Sequence, residues 1–471
     1  MNMLTKELFV DNFAGGGGAS TGIELAIGRS VDIAINHDEA AIKMHKANHP
    51  NTKHYCEDVW AVNPKEACGG TAVALAWFSP DCTHFSRAKG GKPVDKKIRG
   101  LAWVAIRWAY EVRPRVIMLE NVPEIRTWGP LGENNKPIKE RAGETFEGFI
   151  LALSSGVPKE HPAFKEMCEA LEIEQSSVMA DALSKGLGYD VEHDVLKSCD
   201  YGAPTTRTRF YLIARSDGKK IEWPKTTHAP KNSYQVRTGE KLPYRTAAEC
   251  IDWSIPGKSI FERDKPLCEA TLRRIAKGFN KFILNSTSPY IVDNKYLPYL
   301  VQYHGETAET EVRGQTVDEP IMTIDTSNRY ALIMPYIVTL RNHMNGQAMD
   351  EPLSTITTKD HHGVVYAYLI KYYSGVKVSA VDMPLDTLTT MDRFAIVTVH
   401  KEDYWIKDIF MRFLTPREMF KATGFPDDYI IEHDDEGKPY PRTQQVAKCG
   451  NAVTPPVATA MVRANLPEYC A

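Results

Sequence analysis

The chain has no Cys-x-x-Cys pair and no even set of cysteines. Its nine cysteines are scattered, which argues against a disulfide framework or a zinc knuckle and fits a reducing cytosol. It has no apolar run near the roughly 18 residues that a membrane span needs. The opening stretch, Met1 to Val10, leads straight into a strand and shows no secretory design. Nor is there an excess of one charge: a formal charge of −3 gives no global signature of nucleic-acid binding, so such a contact has to come from a local patch. The glycine-rich turn near the start lacks the Gly-Lys-Ser/Thr of a nucleoside triphosphate loop. His361 and His362 stand without a second ligand cluster at suitable spacing, so no metal is expected. What remains is ordinary globular composition, 43% hydrophobic and 25% charged in 471 residues, enough for two or three domains.

Residues 7 to 125 alternate apolar runs with amphipathic segments, the pattern of an α/β, doubly wound, mostly parallel sheet. Leu8 to Val10 reads as the first strand and Gly18 to Ile27 as a helix. Val31 to Ile35 is the second strand, followed by a helix from Ala40 to Ala47. Ala72 to Trp77 and Val116 to Leu119 are buried strands with a helix, Leu101 to Tyr110, between them. Ligands in such sheets bind at the carboxyl ends of strands, which is where Phe13, Cys82 and Glu120 fall. Residues 126–170 read as a polar, glycine- and proline-punctuated insertion without an assigned role. Val191 to Val195 and Arg209 to Ala214 are late strands. From about residue 216 the composition turns to prolines, aromatics and short β-like runs.

That second region contains a repeat. Val317 to Ile324 recurs as Met349 to Ile356 and again as Val381 to Leu388, with the aspartates Asp318, Asp350 and Asp382 spaced 32 residues apart. Apolar strands follow each block in register. A period of this length with turn and strand content reads as stacked β units that bury their apolar faces only together.

Four signals carry chemistry. Phe13-Ala14-Gly15-Gly16-Gly17-Gly18 lets the backbone turn tightly against a ligand at a helix N-terminus; alone, such a run is as often a plain tight turn. Cys82, in Ser79-Pro80-Asp81-Cys82-Thr83, is a candidate nucleophile, although a lone cysteine after a strand is more often a small buried hydrophobe. Glu120, in Glu120-Asn121-Val122, is a carboxyl at a strand end, fit for general-acid work. Arg207 and Arg209 frame a threonine at the start of a late strand and can pair with a carboxylate. A basic run, Arg87, Lys89, Lys92, Lys96, Lys97 and Arg99 against Asp95 alone, begins a few residues after Cys82 and reads as a phosphate-gripping lid hinged at Gly90-Gly91 and Gly100.

This set, in this order, resembles the cytosine-5 DNA methyltransferases of the bacterial and phage Dcm type. The resemblance covers about residues 7–125, 198–214 and 412–462. It includes Tyr201-Gly202-Ala203-Pro204, Arg412 to Glu418 and the terminal Gly450-Asn451-Ala452-Val453. It implies an S-adenosylmethionine-dependent methyltransferase fold with a second, smaller β-rich target-recognition domain. The expected division is a catalytic domain over 1–215, a target-recognition domain over 216–411 holding the three repeats, and a C-terminal return over 412–471 that completes the catalytic domain.

The implied activity is methyl transfer from S-adenosyl-L-methionine to C5 of a flipped cytosine in double-stranded DNA, through a Cys82 adduct at C6. Cys82, Glu120, Arg207 and Arg209 are the implied catalytic residues. Phe13, Ala14, Gly15, Gly17, Gly18, Asn36, His37, Asp58, Val59, Pro80, Asn451 and Val453 are implied to hold the cofactor. Ser86, Arg87, Lys89, Lys92 and Arg99 are implied to touch DNA. The enzyme is expected to be a cytoplasmic monomer of a bacterial or phage-infected cell, free of membrane.

Three departures from the family pattern stand out. Asn36 replaces the acidic residue expected at the ribose hydroxyls, and Asp81 and Thr83 replace the usual proline and glutamine around the cysteine. A carboxylate beside the thiol opposes its ionisation. The alternatives are a related alkyltransferase using a modified sulfonium cofactor, a transfer-RNA cytosine-5 methyltransferase, and a catalytically silent DNA-binding regulator.

Overall fold

The computed structural model describes residues 7–81, 100–132, 136–286, 292, 296–303, 312–339, 368–373, 375–380, 396–399 and 402–470. The chain divides into two compact units. One comprises 1–245, 320–327 and 416–471, and the other 246–319 and 328–415.

The first unit is built on a seven-stranded sheet. In chain order its elements begin with β1 (Leu8–Asn12), α1 (Gly18–Ile27), β2 (Ile33–Ile35), α2 (Glu39–Asn48), β3 (Lys53–Tyr55), α3 (Pro64–Cys68) and β4 (Val73–Phe78). They continue with α4 (Trp103–Glu111), β5 (Val116–Asn121), α5 (Glu144–Leu153), α6 (Pro162–Ala170), α7 (Val178–Lys185), β6 (Asp190–Lys197) and β7 (Thr208–Arg215). The spatial order is β3-β2-β1-β4-β5-β7-β6. The first five strands run parallel, while β7 is antiparallel to β5 and β6. The doubly wound α/β sheet expected from the sequence is present. Its strands β4 and β5 are buried at every position, as central parallel strands covered on both faces must be.

Two apolar layers flank this sheet. On one face Val10, Phe78, Ile117 and Leu119 pack with Trp103, Trp108 and Trp128. On the other, Phe9, Leu75, Trp77 and Met118 pack with Ile23, Val457, Met461 and Val462. The C-terminal return supplies α9 (Pro416–Thr423), α10 (Arg442–Asn451) and α11 (Pro455–Asn465). Gly22 of α1 is what allows α11 so close: a Cβ there would lie 2.5 Å from that of Ala458. The segment read as a polar insertion contains helices. Phe149, Ala152 and Leu153 of α5, Phe164 and Met167 of α6, and Leu183 of α7 join the first layer beside α4.

The second unit is an antiparallel sheet. Its strands include β8 (Lys258–Ser259), β9 (Tyr299–Gln302), β10 (Gly314–Thr316) and β11 (Tyr330–Thr339). The helix α8 (Glu269–Phe279) packs Leu272, Ile275 and Phe279 on Tyr299, Val301, Ala331 and Ile333. The later strands are β12 (Tyr368–Tyr373), β13 (Gly375–Ala380), β14 (Ile396–Val399) and β15 (Glu402–Phe413). The order is β8-β15-β11-β9-β10, with β14 on β15 and β12-β13 as a separate hairpin. The apolar strand after the first repeat block and the run Tyr336 to Val338 form one continuous strand, β11, with a register shift at Tyr336/Ile337. The second and third repeat blocks, with Thr355 and Thr387, lie outside the described residues, as do His361 and His362. No helix among the described residues is long and apolar enough to cross a membrane.

Candidate active site

The carboxyl ends of β1, β2, β4 and β5 lie along one edge of the sheet. Because β7 runs the opposite way, its beginning reaches that same edge: Glu120 lies across from Tyr211 and Asn121 across from Phe210. An antiparallel strand is thus the device that brings the arginines at its start to a carboxyl at the end of β5. Arg209 Nε is 3.3 Å from Glu120 Oε1.

Glu120 is buried. Oε1 accepts no hydrogen bond among the described residues, so the arginine is close but out of line. Burial raises the Glu120 carboxyl above the ordinary glutamate range, and Arg209 and Arg207 draw it partly back. A carboxyl so placed holds a proton more readily than a solvated one. Asn121 orders the adjoining loop, donating from Nδ2 to the Pro80 carbonyl at 3.1 Å and accepting from the Val122 amide at 2.8 Å.

Arg207 is buried and donates to the Gly450 carbonyl at 2.9 Å and to the Ile324 carbonyl at 3.3 Å. Ile324 belongs to the first repeat block, whose segment 320–327 is part of this first unit. That segment is also joined by Ile321 N to Pro204 O at 2.9 Å and Thr206 N to Ile321 O at 2.8 Å. Truncating Arg207 strands two buried carbonyls. Arg207→Ala is therefore expected to cost on the order of 3 kcal/mol, read as a fall in the urea midpoint. An unchanged midpoint would contradict this clamp.

The glycine turn follows β1. Phe13, Gly15 and Gly17 have φ of +64°, +53° and +88°, a left-handed path that is costly for Phe13. Ala14 N donates to Ile35 O at 3.1 Å, tying the turn to β2. Gly17 caps α1 without a side chain, and Asp11 substitutes by accepting the Ser20 amide at 3.1 Å. From the C-terminal return, the Tyr429 hydroxyl donates to Gly16 O at 2.6 Å and stands 3.3 Å from His49 Nε2. The Val453 backbone lies where a Cβ on Gly18 would be.

Asn36, at the end of β2, accepts the Asp38 amide on Oδ1 at 2.9 Å. Asp38 caps α2 through Ala40 N and Ala41 N and pairs with Lys448. Burial works against its charge, but Lys448 and those amides outweigh it and hold the carboxyl below the usual range. His37 is exposed, as is Asp58, whose Oδ1 accepts Trp60 N at 3.0 Å; Val59 and Pro80 are buried. Asn451 is exposed at the end of α10, and Val453 is buried. Cys82, Ser86, Arg87, Lys89, Lys92 and Arg99 lie outside the described residues, which resume at Gly100.

Sequence reasoning passed over Asn12, Tyr429 and Lys448. Asn12 is buried and neither atom of its amide has a partner among the described residues. Such a side chain at the carboxyl end of a central parallel strand is costly unless something polar meets it. The only sequence signal was a polar residue ending an apolar strand. Together the Asn12 amide, the glycine turn, the α1 N-terminus and the Asn36 amide fit a nucleoside-bearing, zwitterionic ligand.

Residues 8–142 and 169–466 match the model of the C-5 cytosine-specific DNA methylase family. The chain belongs to that family, whose methyl donor is S-adenosylmethionine. It is similar to the Type II methyltransferase M.AgeI of Thalassovita gelatinovora, 26% identical over 227 residues, covering 46% of this chain and 42% of that one. It is also similar to M.AquIA of a Picosynechococcus strain, 23% identical over 256 residues, covering 52% and 88%. Among solved structures, a DNA modification methyltransferase encoded within an E. coli prophage aligns over 98% of both chains at 17% identity, with a TM-score of 0.46.

Proposed function

We propose that the chain methylates C5 of cytosine in a specific sequence of double-stranded DNA, in the cytoplasm and as a monomer. The observation that carries this reading is the buried Glu120 carboxyl beside Arg209, at the sheet edge where the glycine turn opens. S-adenosylmethionine supplies, when bound, a methyl group on a sulfonium. The turn from Phe13 to Gly18 and the Asn36 amide hold it, with Asp58 at its adenine end and Val453 closing over it.

The Cys82 thiolate adds to C6 of the cytosine ring, so that C5 becomes nucleophilic; once C5 is methylated, loss of its proton to solvent expels the thiolate from C6 and restores the ring. Glu120 keeps a proton at ring N3, and Arg209 balances the charge and meets the carbonyl at O2. Because C5 and C6 are stacked inside a duplex, the base has to be swung out. The basic run from Ser86 to Arg99 grips the phosphates around it. The β-rich region acts as the target-recognition domain.

The test is a methylation assay with labelled donor and a duplex library, followed by sequencing of methylated cytosines. Wild-type protein is expected to form 5-methylcytosine and a trapped adduct with DNA containing 5-fluorocytosine. Cys82→Ala is expected to form neither, with turnover down by at least about 1,000-fold. An adduct formed by Cys82→Ala would remove the nucleophile. A modified group other than methyl on the cytosine would replace the reaction.

A further inference from the structure

Behind the glycine turn runs a buried chain of polar groups that the chemistry above does not use. Ser20 Oγ donates to Asp11 Oδ2 at 2.7 Å, His45 Nε2 is 2.9 Å from Ser20 Oγ, and His54 Nε2 is 2.8 Å from His45 Nδ1. Asp11, Ser20 and His45 are fully buried, while His54 is partly exposed. The chain therefore leads from solvent at β3, through α2 and α1, to the last acidic residue before the turn. Its direction is fixed by chemistry. With its hydroxyl proton given to Asp11, Ser20 can only accept from His45 Nε2–H, which leaves His45 Nδ1 to accept from His54 Nε2–H.

Burial, with His49 and His54 adding to it, holds His45 well below the ordinary histidine range. Burial together with Lys46 and His49 brings His54 down to about 4. Both rings are thus neutral near pH 7, as the chain requires. Burial pushes the Asp11 carboxyl up to about 7, against the two Ser20 hydrogen bonds and with help from Glu24. Asp11 Oδ1 has no partner among the described residues.

The groups facing this chain come from several elements. They are Glu24 on α1, His49 just past the end of α2 at 4.3 Å between ring centroids from His45, Tyr429 from the C-terminal return, and Lys46 and Asp435 near His54.

Asp11 binds the Ser20 amide in the first turn of α1, the positive end of a helix that also favours the carboxylate of an amino-acid-bearing donor. Two carboxylates competing for one helix end repel, and a proton on Asp11 removes the repulsion. We propose that Asp11 is a positioning residue whose protonation, through the His54–His45–Ser20 chain, is coupled to donor binding, so that cofactor affinity falls as pH rises. This rests on the reading of the glycine turn as the donor site. The proton balance closes: one proton enters at the outer nitrogen of His54. The Nε2 proton of His54 then passes to His45 Nδ1, that of His45 to Ser20 Oγ, and the Ser20 hydroxyl proton to Asp11 Oδ2.

The test is calorimetry of S-adenosylmethionine binding to the DNA-free protein in buffers of different ionisation enthalpy. Wild type is expected to take up close to one proton per donor above pH 7, with Kd weakening by up to about tenfold per pH unit there. Asp11→Asn is expected to lose the Asp11 share of this dependence and to keep only that of the donor's own α-amino group, which titrates at about 8. Ser20→Ala, which removes a hydrogen bond favouring the carboxylate, is expected to move the midpoint to higher pH, and it serves if the asparagine variant fails to fold. A donor-free readout is the carboxyl carbon-13 shift of Asp11, expected to titrate near 7. Donor binding by wild type with no more proton uptake than Asp11→Asn shows between about pH 6 and about pH 9 overturns the proposal and leaves the donor site standing. No donor binding at any pH overturns the donor site itself.

Discussion

Replacing Glu120 by glutamine is expected to lower turnover on duplex DNA by about 100- to 10,000-fold and, at the same time, to raise the melting temperature. The amide keeps the size of the side chain but cannot share a proton with ring N3. The stability gain follows from the direction of the pKa displacement. Burial raises the Glu120 carboxyl in the folded protein, so folding favours the protonated form. That contribution is complete below the ordinary glutamate range and is lost as pH rises through the higher folded value. Above that folded value the native protein carries a partly uncompensated charge, with Arg209 at 3.3 Å as the balancing group. Glutamine removes the charge and the penalty together. Steady-state turnover and thermal unfolding on the same preparation check both signs. A variant that is both less stable and fully active would contradict the role and the electrostatics at once.

Gly17→Ala is expected to cost about 3 kcal/mol of stability and to abolish donor binding. The backbone at Gly17 has φ +88°, where an L side chain costs roughly 1–2 kcal/mol. Its Cβ would also enter the space of the Tyr429 hydroxyl and the His49 ring, and such overpacking adds about 1–3 kcal/mol. Neither neighbour is a flexible chain end. Tyr429 is held by Gly16 O, and His49 Nδ1 lies 2.9 Å from Glu24 Oε2. Denaturant unfolding and donor titration measure the two losses. Gly218→Ala is the matched control, since Gly218 also has positive φ but its Cβ would meet nothing within 4 Å. If both variants lose the same stability, backbone strain accounts for the whole effect and the contact contributes nothing.

The parts of the fold that buried apolar runs specify were legible in the sequence, and direction and polar cross-links were not. Ala72 to Trp77 and Val116 to Leu119 read as central strands because unbroken apolar stretches have nowhere else to go, and the strands observed run Val73–Phe78 and Val116–Asn121. Lys53-His54-Tyr55 did not read as a strand, since an edge strand of three polar and aromatic residues carries no such signal. The reversal of β7 was invisible too: alternation marks a strand but not which way it runs, and that reversal is what puts Arg209 beside Glu120. The helices at 144–185 were hidden by the charged and polar residues around them. Their apolar residues Phe146, Phe149, Ile150 and Leu153 nevertheless fall at helical spacing and pack on the core. At the candidate site, the glycine turn, Glu120 and the arginine pair were singled out from local patterns. His45, Tyr429 and Lys448 were not, because their partners lie tens to hundreds of residues away and only the folded chain introduces them; Asn12 was not, because one amide ending an apolar strand carries no local sign of its burial.

The short passage Pro320 to Ser327 has a bearing on how this protein can be re-engineered. The β-rich region is interrupted by eight residues that belong to the other unit, where they pair with Pro204 and Thr206 and receive Arg207. A chimera that exchanges everything between residues 246 and 415 as one cassette therefore also removes a piece of its host. Grafts that test the proposed target-recognition role should retain those eight native residues and splice on either side of them.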